Sequence, residues 1–300
     1  MHSYQPITLL HKNDHIRILC TARIGSAKKL APAIGWLRSL GYRVSLGKTV
    51  GKSHHQYGGT DQERLEDFQD ALVDPDIHAI WIARGGYGSI KIVDEIDMSV
   101  LNGENKLLMG YSDVTNLHGL WQRNGLQSLH CFMPQEFPEK PEEILSSWTK
   151  TVTGVQQSFK LPNENKISNQ TITAPLVGGN LSVLLSMLGS STFPELDNHI
   201  LFIEDLDEYL YHIDRLMTCL RRAGKLAHLK GLVVGGMTDM RDHEIPFGKT
   251  AHEIVLEHTK EYNYPVLFDF PAGHVVDNYS LVLGKSTTIK IENDSILITQ

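Results

Sequence analysis

Short apolar runs recur along the first half of the chain, each separated from the next by a stretch with helical spacing. HIRILC (15–20) has the composition of a strand, and the stretch after it places Leu30, Ile34, Leu37 and Leu40 on one helical face. Gly41 is a stop signal, and YRVSL (42–46) predicts the next strand. Thr60 and Glu63 have the spacing of a reciprocal N-terminal cap, opening a helix with Leu65, Phe68 and Leu72 on its inner side. Asp74-Pro75 closes that helix. HAIWIA (78–83) and KLLMGY (106–111) are almost continuously apolar, the pattern of strands buried on both faces of a parallel sheet. Strand, helix, strand in this cadence predicts right-handed βαβ units and a doubly wound sheet.

Character changes over 134–170. PQEFPEKPEE (134–143) is rich in Pro and Glu, and LPNENKISNQTIT (161–173) is polar. The predicted division is an α/β domain over 1–150, a linker over 151–173 and a second domain over 174–300. In that second domain a helix is predicted over 180–188 and another over about 208–223, the latter with Leu210, Ile213, Leu216 and Leu220 on one face. HILFIED (199–205), GLVVGG (231–236) and PVLFDF (265–270) read as buried strands, and SLVL, TTIKI and SILIT near the end as antiparallel strands of a mixed sheet.

Composition narrows the class. The chain has 300 residues, 41% of them hydrophobic, and 28 basic against 35 acidic side chains give a net charge of −7. Such a surface repels phosphate backbones and anionic lipid, so neither nucleic acid nor membrane is expected as a partner. No run approaches the roughly 18 apolar residues of a membrane span, and the first residues lack the apolar core of a signal peptide, so the cytoplasm is the expected compartment. Cys20, Cys131 and Cys219 are widely spaced, which suggests neither a disulfide framework nor a zinc knuckle. Fifteen histidines make metal binding worth testing, but no HExxH or paired-Cys spacing is present, and no metal or other cofactor is expected.

GYSDVTNLHGLW (110–121) runs from a buried strand directly into a helix pattern. That geometry can hold the Ser112 hydroxyl at a sharp turn beside the N–H groups of a helix N-terminus, where an oxyanion would be stabilised. Val114 stands where the G-x-S-x-G elbow requires Gly, and Ser112 or Asp113 as a simple helix N-cap is the alternative. ARGGYGS (83–89) lies at the carboxyl end of another buried strand, where open α/β sheets place ligands, though a tight turn without function fits it as well. GKTVGKS (47–53) is one residue short of a phosphate-binding loop. Glu204, Asp205, Asp207 and Glu208 could form a metal cluster or an acidic helix start, and Asp239, Asp242, His243 and Glu244 a second acidic group or solvated loop charges. His274 follows a predicted buried strand in FPAGHVVDN (270–278). Ser112, Glu204 and His274, each expected just past the end of such a strand, could supply the nucleophile, acid and base that Ser–His–carboxylate catalysis needs.

Five blocks resemble the LD-carboxypeptidase family of serine peptidases, which also contains the microcin C immunity peptidases. They are 58–88, GYSD (110–113), GGNLSVL (178–184), 201–224 and PAGHVVDNYSLVLG (271–284). The resemblance implies a flavodoxin-like N-terminal domain, a smaller swivelling β/β/α C-terminal domain, an active site between them and a homodimer. It implies Ser112 as nucleophile, Glu204 as triad acid and His274 as base, with an oxyanion hole from the backbone N–H groups of Asp113 and Gly86. The implied activity cuts the L,D-amide before the terminal D-alanine of a murein tetrapeptide. The same machinery could instead serve an amidase acting on peptidyl-nucleotide antibiotics, and composition alone fits a non-catalytic small-molecule binder equally well. CTARIGS (20–26) departs from the family's small first loop by carrying Arg23. A carboxypeptidase must recognise a free carboxylate, and Arg84 and Arg23 are the candidate cations.

Overall fold

The structure, a computed structural model, describes residues 4–164 and 166–300. In chain order the first half comprises β1 (His15–Leu19), α1 (Ala27–Ser39), β2 (Arg43–Leu46), α2 (Asp61–Val73), β3 (Ala79–Ile82), β4 (Leu107–Gly110), α3 (Thr115–Arg123), β5 (Ser128–His130) and α4 (Glu142–Val152). The second half comprises β6 (Ser158–Pro162), β7 (Gln170–Asn180), α5 (Leu181–Ser186), β8 (Ile200–Leu206), α6 (Leu210–Arg222), β9 (Gly231–Thr238), α7 (Ala251–Thr259), β10 (Val266–Leu267), β11 (Leu281–Leu283), β12 (Ser286–Ile291) and β13 (Ser295–Thr299).

The first sheet has the order β11-β5-β4-β3-β1-β2, parallel throughout except for β11. Its parallel part is the 2-1-3-4-5 order of flavodoxin-like folds, which opens a ligand crevice where the order reverses between β1 and β3. All four residues of β3 and of β4 are buried, because helices cover both faces of the sheet. On one face Trp81 stacks on Trp148 of α4 with centroids 5.0 Å apart. The cap before α2 forms as its spacing predicts: Glu63 N donates to Thr60 Oγ1 at 3.2 Å, and Thr60 N to Glu63 Oε2 at 2.8 Å. The near phosphate loop is a structural turn, with the Lys48 and Thr49 N–H groups donating to Asp67 at 3.0 and 2.8 Å.

The second sheet has the order β10-β9-β8-β7-β12-β13-β6. Strands β7 to β10 run parallel, and β12, β13 and β6 continue the sheet antiparallel. Three expectations need correction here. The stretch 151–173 is no simple linker: α4 runs to Val152, β6 pairs with β13, and β7 begins at Gln170. SLVL is an antiparallel strand as expected but does not share a sheet with TTIKI and SILIT, since β11 crosses back to pair with β5 of the first sheet. PVLFDF keeps only two residues in the ladder, because Asp269 takes a left-handed φ of 57° and turns the chain away. Among the described residues no helix is long and apolar enough to cross a membrane.

Candidate active site

Ser112 follows β4 at a sharp corner and has a φ of 62°, the left-handed region that a residue with a Cβ adopts at a cost. Gly110 makes the corner possible: its φ is 144°, and a Cβ there would come within 2.9 Å of Val114 Cγ2. The chain then enters a single 3-10 turn, Ser112–Val114, and α3, which aims the helix start at the serine. Thr115 Oγ1 accepts from Asn180 N at 3.0 Å, so the end of β7 packs on this helix start. Gly179 permits the approach, since a Cβ there would lie 2.5 Å from Thr115 Oγ1.

Glu204 lies inside β8, two residues before its end rather than beyond it, and is fully buried. His274 sits on the loop between β10 and β11. Its Nδ1 is 2.7 Å from Glu204 Oε2, and its Nε2 is 3.1 Å from Ser112 Oγ. A carboxylate only accepts, so Nδ1 carries the proton and the lone pair of Nε2 faces the hydroxyl. Gly273, with a φ of 103°, lets the loop reach the carboxylate, because a Cβ there would sit 2.6 Å from Glu204 Oε2. Burial opposes charge on His274, but the charge and hydrogen bond of Glu204, then the charges of Glu136 and Asp205, outweigh it and hold the pKa above the ordinary imidazole value.

The structure thus brings Ser112, Glu204 and His274 together from the two sheets. They face an open cleft of about 650 Å³. Arg23 and Arg84 line it and form no ion pair among the described residues, and Glu136, Asp207 and Glu208 line it as well, each with a cationic or imidazole partner. Gly86 also lines the cleft, with a φ of 112°, and packs under the Arg23 side chain. Among the described residues the N–H groups of Gly86 and Asp113 have no hydrogen-bond acceptor. The Asp113 carboxyl is buried and accepts from Ser89 N at 2.8 Å, which ties the Ser112 turn to the end of the glycine loop. Burial pushes its pKa up, against the Ser89 and Gly88 donors.

Sequence reasoning missed several neighbours. Gly85, not only Gly86, borders the serine: a Cβ on it would lie 3.3 Å from Ser112 Oγ. The ring of Tyr111 packs against His274 with centroids 4.7 Å apart, and its hydroxyl donates to Glu136 at 2.8 Å. Asp205 accepts from Asn180 Nδ2 at 2.9 Å and from Ser182 Oγ at 2.7 Å; burial and the charge of Glu204 push its pKa up to about 6 against those donors. The acidic groups considered for a metal are dispersed: Asp207 pairs with Arg241, Glu208 with His212, and Asp242 accepts from the N–H groups of its own loop. No group of three or more potential ligands converges among the described residues.

A hydroxyl, an imidazole and a buried carboxylate in hydrogen-bonded series on a two-sheet α/β frame are the arrangement that acyl-transfer hydrolases use. Sequence profiles of the LD-carboxypeptidase N-terminal and C-terminal domains match residues 16–131 and 173–289. The chain belongs to the LD-carboxypeptidase family and is a peptidase. It is similar to the murein tetrapeptide carboxypeptidase of Pseudomonas aeruginosa, 26% identical over 300 residues that cover 96% of this chain and 95% of that protein. It is also similar to the microcin C7 self-immunity protein of Escherichia coli, 26% identical with 93% and 90% covered. Among solved structures, the muramoyltetrapeptide carboxypeptidase of Oxalobacter formigenes superposes with a TM-score of 0.86 at 26% identity, covering 95% of this chain and 98% of that one.

Proposed function

We propose that this chain is a serine carboxypeptidase that releases the terminal D-alanine from murein tetrapeptides, as a step of peptidoglycan recycling. The observation that carries this reading is the single imidazole of His274 set between Ser112 Oγ at 3.1 Å and Glu204 Oε2 at 2.7 Å. Ser112 Oγ attacks the carbonyl carbon of the L,D-amide while His274 Nε2 takes its proton. The oxyanion turns toward the N–H groups of Asp113 and Gly86, each such donor contributing about 3–4 kcal/mol in comparable holes. His274 then gives the proton to the departing D-alanine amine as the C–N bond breaks, leaving an ester on Ser112. Water, deprotonated by the same imidazole, hydrolyses the ester. Glu204 holds the tautomer and stabilises the imidazolium throughout. Arg84 and Arg23, which line the cleft without an ion-pair partner among the described residues, receive the terminal carboxylate.

A murein peptide suits the lining better than a nucleotide conjugate does. Tyr111 is the aromatic residue among the groups lining the cleft, and its ring is engaged with His274 and its hydroxyl with Glu136, so neither is offered to a nucleobase. The reading includes a cytoplasmic homodimer, which light scattering of the purified chain checks. The deciding experiment compares D-alanine release from a tetrapeptide with cleavage of a glutamyl sulfamoyl nucleoside, for the wild type and Ser112→Ala. Faster turnover of the nucleoside conjugate assigns the immunity-type amidase instead. Absence of turnover and of fluorophosphonate labelling assigns a non-catalytic binder.

A further inference from the structure

His274 sits on a segment without regular structure: residues 268–280, between β10 and β11, form neither helix nor strand. A base on such a segment needs anchors, because productive geometry tolerates displacements of only about 0.5 Å. The second half supplies several. Gly236 N donates to Ala272 O at 3.0 Å, Thr238 Oγ1 to His274 O at 2.8 Å, and Gly273 N to Asn278 Oδ1 at 2.9 Å. Ser112 itself apart, the first half bonds residues 272–276 through one side chain among the described residues, Lys140. Its Nζ donates to Val275 O at 3.3 Å and Val276 O at 3.4 Å, and lies 3.5 Å from Glu136 Oε2. The Lys140 side chain is only 7% exposed, so its charge is spent on these three acceptors rather than on water. Glu136 in turn accepts from Tyr111, the residue next to Ser112, whose ring packs on His274.

We infer that Lys140 is a positioning residue: its ammonium straps the loop bearing His274 to the half of the molecule bearing Ser112, and the base meets the nucleophile only while the strap is made. The inference rests on the proposed roles of Ser112 and His274. Around His274 the charged and titratable groups are Glu204, Glu136, Asp205 and the buried His130, with Tyr111 on its ring face. Removing the Lys140 charge leaves Glu136 uncompensated, so the imidazole holds its proton more tightly.

The test uses the full chain with Lys140→Met and Lys140→Arg, read by kcat, KM, the pH profile and the rate at which a fluorophosphonate labels Ser112. Lys140→Met is expected to lower kcat about 10–100-fold with KM changed by less than about threefold, and to slow labelling by a like factor. The acid limb moves to higher pH, and Lys140→Arg recovers most of the rate. A kcat and labelling rate within about twofold of wild type overturns the assignment. So does a loss confined to KM, or a fall that leaves the limb unmoved and that Arg does not rescue. Should Lys140→Met fail to fold, Lys140→Gln replaces it with the same expected directions, and an unchanged labelling rate again overturns it. Ser112→Ala separates the two layers: if it keeps wild-type turnover the triad reading fails, whereas a dead Ser112→Ala beside an unimpaired Lys140→Met defeats only the strap.

Discussion

One oxygen of Glu204 holds His274 twice, accepting from the ring Nδ1 at 2.7 Å and from the backbone N–H at 3.2 Å. The carboxylate therefore fixes both the imidazole tautomer and the segment that carries it. Glu204→Gln keeps the shape but removes the charge, and kcat is expected to fall about 10³–10⁴-fold, as for loss of the orienting acid in other triads.

The pH profile follows from the same pair. Only the neutral imidazole can take a proton, so kcat/KM rises with pH through the pKa of His274. Glu204, Glu136 and Asp205 raise that pKa, which places the acid limb above the ordinary imidazole value of about 6.5. In Glu204→Gln the limb moves to lower pH. A limb that stays in place would show that Glu204 does not govern the titrating group.

At Ser112 the backbone and the chemistry can be separated. Ser112→Ala and Ser112→Gly should both lose turnover, since neither has a nucleophile. They differ in stability: the φ of 62° favours glycine, so Ser112→Gly should unfold at higher urea than Ser112→Ala, by about 1 kcal/mol. Equal midpoints would show that the corner carries no strain.

Gly273 tests the approach of the base loop to the acid. Ala there meets Glu204 Oε2 at 2.6 Å with a φ of 103°, and a loss of about 2–4 kcal/mol with collapse of activity is expected. Gly189→Ala is the control, because its φ of 89° imposes strain but nothing lies within 4 Å, and about 1 kcal/mol should be lost with activity kept.

At the leaving end of the substrate, amidating the terminal D-alanine should depress kcat/KM by about 10–1,000-fold, the scale of a charge-assisted contact plus an unpaired cation. Arg84→Met should narrow the gap between the two peptides. Equal turnover of both by the wild type would mean that the terminal carboxylate goes unread.

What the sequence made legible has a physical pattern. β3 and β4 were readable because burial on both faces leaves an unbroken apolar run, and Ser112, Glu204 and His274 stood out as candidates because each sits in a distinctive block of sequence. The start of β7 was not, because its first residues alternate between half-buried and exposed, so Gln170, Thr171 and Thr173 look like polar linker. The histidine count, too, finds part of its explanation only in the packing. His118 is buried between Ser128 Oγ at 2.8 Å and Gly110 O at 2.9 Å, and burial holds its pKa down to about 4, so it serves as a neutral core hydrogen-bonder. Lys140 and Glu136 lay in a run that reads as Pro- and Glu-rich spacer. Their partner loop is some 135 residues further on, a distance at which no spacing rule operates.

The return of β11 to the first sheet has a consequence for how this protein can be taken apart. A cut before β6 yields a fragment bearing Ser112 whose β5 edge is bare, with the seat of the buried Val282 open to other chains. A cut after β11 leaves both sheets on one piece and strips β12 and β13 from the second. No single cleavage releases two complete sheets, so the halves are interlaced rather than strung in tandem. A chimera that exchanges the first half with a relative's must carry residues 281–283 along with it, and a split version would reassemble only if that strand were grafted onto the first fragment.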